Sequence, residues 1–80
     1  MYTKPGVYKV LGGRDCLRTE PDENKENWLG IYVESGDLIL VFEKLHKFRS
    51  AYSELFWFKG MKNGIFGYFV IGQNKLKEVV

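Results

Sequence analysis

Cys16 and His46 are the only thiol and the only imidazole in this 80-residue chain, and thirty positions separate them. Nucleophilic catalysis would need the pair within hydrogen-bonding reach and a third group to orient the base. Nothing in the spacing supplies that, so Cys16 reads as a small, buried structural thiol. One cysteine excludes an internal disulfide, and one Cys with one His makes no metal cluster. The remaining candidates bind rather than react. Glu20, Asp22 and Glu23, followed by Glu26, gather carboxylates that could face a basic partner. They lack the regular ligand spacing of a calcium loop, and a run of this kind also suits a solvated loop. Lys44, Lys47, Phe48, Arg49 and Tyr52 mix cations with aromatics. Single-strand nucleic-acid grooves use that mixture for phosphate pairing and base stacking, and an exposed loop with snorkelling lysines looks the same. Trp57 is the large flat side chain nearest these groups in type, and tryptophan often anchors a recognition surface.

The elements that must position these residues are short and extended. Asn63-Gly64 between two apolar runs is the strongest local signal, because both residues take positive φ at little cost and a two-residue hairpin turn requires it. Residues 7–11 read as a first strand closed by Gly12-Gly13, and residues 28–33 as another, ended by the Glu34-Ser35-Gly36-Asp37 turn. Residues 38–42 are apolar at every position, which fits a strand buried on both faces. Residues 14–27 form a long polar stretch that only Cys16 and Leu17 interrupt, as a brief strand. Residues 43–53 read as a polar, basic loop, and residues 75–80 as an edge strand whose lysines discourage further pairing. Alternation sets Leu55 and Trp57 on one face and Phe56 and Phe58 on the other. Trp57 is then either a recognition anchor or a volume-filling core residue, and the sequence leaves both open. No helical period is present, so no phosphate-binding loop opens a helix.

Composition narrows the classes. Residues 1–80 make one domain, since a chain of this length has no room for a second core. Its 45% hydrophobic and 28% charged residues are those of a folded domain rather than a disordered one. The aromatic share is high at 16%, enough to fill a small barrel and leave contact surface outside. Twelve basic against ten acidic residues give a net charge of +2, too balanced to point to a polyanion by itself. No apolar leader or membrane span is evident, so a cytoplasmic location without membrane attachment is expected. Short strands with glycine-rich corners argue for a small, strongly bent antiparallel barrel of about five strands.

Ser35-Gly36-Asp37-Leu38-Ile39-Leu40-Val41 resembles the diverging turn and second strand of SH3 domains. Residues 57–69 resemble their Trp-led third strand, distal turn and Gly-aromatic fourth strand. Cys16-Leu17-Arg18-Thr19-Glu20-Pro21 is similar to the Leu-x-Val-Arg-Ser-Gly-Pro pattern of bacterial SH3 domains, and residues 30–37 fall where that variant has a Gly-x-Leu-x-x-Gly step. The resemblance covers about four-fifths of the chain. It implies an all-β, SH3-like fold and a binding role rather than an enzymatic one. The Ala-Leu-Tyr-x-Tyr opening and Pro-Ser-Asn-Tyr turn of polyproline-binding SH3 domains are missing, with Val70-Ile71-Gly72-Gln73 at the second.

The expected role is that of a non-enzymatic intracellular module that binds or occludes a partner protein, without cofactor or metal. A small inhibitor carried by a phage or mobile element is one form of it. The binding surface would lie between the acidic loop (Glu20, Asp22, Glu23) and the basic-aromatic loop (Lys44, Lys47, Phe48, Arg49, Tyr52), with Trp57 between them. Two other readings stand beside it: a cell-wall glycan or peptide binder, as bacterial SH3 domains imply, and a single-strand nucleic-acid binder. Self-assembly into a homo-oligomer is open.

Overall fold

The computed structural model describes residues 4–49 and 54–79. They form seven strands: β1 (Gly6–Val10), β2 (Arg14–Arg18), β3 (Trp28–Glu34), β4 (Leu38–Lys47), β5 (Leu55–Lys62), β6 (Ile65–Gly72) and β7 (Leu76–Glu78). Single 3₁₀ turns occupy Lys25–Asn27 and Gln73–Lys75. The all-β expectation is met, with seven strands where about five were expected. Every pairing is antiparallel, in the order β3-β2-β6-β5-β4-β1-β7. No helix among the described residues is long and apolar enough to cross a membrane.

This sheet has to roll up. The connections β1–β2, β3–β4 and β6–β7 each join strands four places apart in the order, and each does so in four residue steps. In a flat sheet four places span about 19 Å, whereas four steps of extended chain reach at most about 14 Å. Backbone hydrogen bonds carry the β1 ladders with β4 and β7 past the strand ends: Gly36 N to Val10 O at 2.8 Å, Val10 N to Asp37 O at 2.9 Å and Leu11 N to Lys75 O at 2.7 Å. Rolling also explains the core, in which six strands contribute to one cluster: Tyr8 and Val10, Leu17, Val33, Ile39 and Val41, Phe58, Phe69 and Ile71. Phe58 and Phe69 face each other in register and stack with centroids 5.7 Å apart. Gly60 and Gly67 are also register partners, and at both the neighbouring strand leaves no room for a side chain. A Cβ on Gly60 would lie 2.4 Å from the Leu40 carbonyl oxygen.

The hairpin between β5 and β6 turns at Asn63 and Gly64, with φ of 51° and 79°, as the Asn-Gly pair leads one to expect. Two other expectations need correcting. Residues 38–42 are not buried on both faces: Ile39 and Val41 point into the core, while Leu38 (62% exposed), Leu40 and Phe42 point outward. No helix among the described residues packs on the outer side, and the strand alternates as any half-covered strand does, here with apolar groups on the open face. The basic segment is also no loop up to Lys47, because β4 continues through it. Register shifts at Val41/Glu43 and Lys44/Lys47 bend the strand while it stays paired to β5.

Candidate functional site

The long loop between β2 and β3 and the residues after β4 belong to strands three places apart in the sheet order (β2 and β4), and the roll of the sheet makes them neighbours. Arg49 closes the contact with a two-point ion pair to Glu23, its Nη2 on Oε1 and its Nε 3.3 Å from Oε2. Hydrogen bonding from Arg49 holds the Glu23 carboxyl below its ordinary range against a smaller desolvation cost, and the charges of Arg49 and Arg18 add to it. The acidic and basic-aromatic segments singled out in the sequence therefore do meet.

Trp57 lies on the outer face of β5 but is only 2% exposed. Its ring is covered by Phe48 (centroids 6.0 Å apart), His46 (6.3 Å) and the Arg18 guanidinium (5.0 Å). An exposed tryptophan anchor is therefore corrected to a buried support. Trp57 holds the buried Arg18 and the half-buried Phe48 in place from beneath, and Phe48 reaches the surface of the site.

Arg18 and Asp15 are the functional residues that sequence reasoning missed. Their ion pair is 2.6 Å long with side chains 8% and 15% exposed. Asp15 also accepts the Val70 amide at 2.7 Å, which fastens β2 to β6. Arg18 donates to the Asp22 carbonyl at 2.9 Å, and its guanidinium lies over Trp28 at 5.4 Å as well as over Trp57. One buried cation thus organises the loop, the hairpin and the tryptophan. Positions 15 and 18 would face opposite ways on a regular strand. The register shift between Cys16 and Arg18 brings them together, and no residue pattern announces such a shift.

The other expected residues divide. Asp22 shapes its own loop, its carboxylate accepting the Asn24 amide and the Asn27 side-chain amide at 3.0 Å. Glu20 is exposed nearby. Lys44 is turned away from Trp57, with its ammonium 4.5 Å from the Phe56 ring and 3.1 Å from Gln73 Oε1. Lys47 is exposed in register with Phe56. Tyr52 falls outside the described residues. Beside Phe48, between β2 and the adjoining ends of β5 and β6, opens a cleft of about 220 Å³, walled by Arg14, Asp15 and Arg18 on one side and by Phe48, Leu55 and Val70 on the other; of the residues expected from the sequence only Phe48 lines it, and the acidic loop does not reach it. Its lining combines apolar side chains with the largely buried Arg18–Asp15 pair and the exposed Arg14. Cys16 is buried, and no group of three or more metal-ligating side chains exists among the described residues. Comparison with protein-family models, with curated proteins and with solved structures found no match for the chain.

Proposed function

We propose that this chain is an SH3-like barrel, nearest the bacterial variant, acting as a non-enzymatic intracellular module that binds or occludes a partner protein. The barrel reading is supported by the order of parts: a long-looped hairpin, a short turn into a bent strand, a tight Asn-Gly hairpin and a 3₁₀ turn before the last strand. The observation that carries the function is the cleft beside Phe48, lined by β2 and the adjoining ends of β5 and β6. Its wall side chains rest on a rigid base, because Trp57 beneath Phe48 and the buried Arg18–Asp15 pair fix them before any ligand arrives. A pocket of apolar side chains beside charged groups has the anatomy of a protein-binding hot spot, where one anchored side chain supplies most of the affinity and the rim sets encounter rate and selectivity.

The test is capture from lysate with the native protein, Phe48→Ala and Arg49→Glu, followed by mass spectrometry. A protein retained by the native chain and lost with Phe48→Ala supports the reading. Retention of nucleic acid that falls steeply with salt, or sedimentation with purified cell walls and no captured protein, overturns it.

A further inference from the structure

The outer face of the sheet carries a second surface that the cleft does not use. Register aligns Val7 of β1 with Leu40 of β4, Leu40 with Met61 of β5, and Met61 with Phe66 of β6. The row crosses four neighbouring strands, about 14 Å at the spacing of hydrogen-bonded strands. Leu38 and Phe42 widen it on β4. The Phe42 ring stacks on Phe66 with centroids 6.1 Å apart, and Tyr68 meets Phe66 edge-on at 5.7 Å. Val7, Leu38, Leu40, Phe42 and Phe66 range from 37% to 62% exposed. The two phenylalanines would each bury upward of about 150 Å² and the aliphatic side chains somewhat less, so at these exposures the five together leave roughly 400 Å² in one patch. The largest patch on a monomer of that size is often functional.

We infer that this face is the contact between two copies of the chain. Interfaces are about 60% apolar, so a 400 Å² apolar centre implies about 700 Å² covered per copy, close to the roughly 800 Å² of a standard stable interface. The charges suit a two-fold arrangement, in which the same patch must be complementary to itself. No charged residue interrupts the row. Glu43 and Lys59, register partners of opposite sign, flank it, with the Lys59 ammonium 5.5 Å from the Phe66 ring. Rotation about a central two-fold axis brings the cation of one copy toward the carboxylate of the other. The net charge of +2 leaves little repulsion between copies.

Sedimentation equilibrium of the full chain between about 1 μM and 1 mM tests this. The wild type should move from the chain mass to twice that mass, and Phe66→Glu and Leu40→Glu should each weaken association roughly thirtyfold, the scale of an interface hot spot. Both variants should melt close to the wild type in dilute solution, and Arg14→Glu at the cleft should associate normally. Concentration-dependent NMR shifts of the wild type, confined to the row, give the same answer without substitution. A monomer at every concentration, association that survives both glutamate variants, or shifts centred elsewhere overturns the inference. So does a monomer that uses this face for a different protein.

Discussion

Replacing Trp57 by alanine should cost this domain most of its stability. The indole is 2% exposed and touches Phe48, His46 and Arg18 from below. Enclosing a tryptophan removes about 200 Å² from water, which at about 25 cal/mol per Å² corresponds to roughly 5 kcal/mol. Truncations of buried aromatics to alanine cost about 3–5 kcal/mol. A core of this size supplies only about 3–5 kcal/mol in all, so the variant should be largely unfolded at room temperature. Trp57→Phe keeps a ring under Arg18 and should cost only about 1–2 kcal/mol, in proportion to the smaller area lost. Circular-dichroism melts measure both changes. Fluorescence separates the two tryptophans, since Trp28 is 38% exposed and Trp57 is not. Trp57→Phe should remove the blue, quencher-protected emission and leave the quenchable part. A Trp57→Ala protein that melts within a few degrees of the wild type would refute the assignment of Trp57 as the support under the cleft.

Gly60→Ala should destabilise by about 3 kcal/mol, the upper end of overpacking, because its Cβ would meet the Leu40 carbonyl oxygen and the Phe69 ring; an unchanged urea midpoint would contradict this. The Asp37–Lys62 pair, 2.8 Å long, makes stability depend on acid. Burial raises the Asp37 carboxyl, but hydrogen bonds from Lys62 and the Glu34 amide, with the Lys62 charge, outweigh it and leave the group below its ordinary value. A lowered folded-state value stabilises the fold above the unfolded value of about 3.9, and that contribution disappears as the pH falls through the folded-state value. Melts below about pH 4 should therefore drop more steeply in the wild type than in Asp37→Asn, and parallel acid limbs would count against the pair. Cys16, 1% exposed, should react with a thiol reagent only as fast as the protein opens; rapid labelling of the native protein would show it to be accessible.

Local chemistry was legible in the sequence and long-range geometry was not. Asn63-Gly64 marked its hairpin because the backbone requirement sits in the two residues themselves. The lysines of the last strand marked an edge, and β7 is one. The acidic and basic-aromatic loops were recognisable by composition, and the structure joins them through Glu23 and Arg49. The burial of Trp57 was not legible, since alternation gives its face but not what covers that face. Arg18 and Asp15 were hidden because a register shift, rather than a periodic spacing, unites them. The run at residues 38–42 misled because an apolar residue on an open sheet face looks the same in sequence as one under a second layer. The length of β4 was hidden by its outward charges, which resemble those of a loop.

The cleft beside Phe48 is tested most directly by titrating a captured partner protein into the wild type and Phe48→Ala by calorimetry, with Phe66→Glu, at the other end of β6, as a control outside the cleft. Loss of the pocket wall should weaken binding by roughly thirtyfold or more, the hot-spot scale, while Phe66→Glu binds within about twofold of the wild type. Equal affinity for the wild type and a folded Phe48→Ala protein would place the partner elsewhere and contradict the assignment of the cleft.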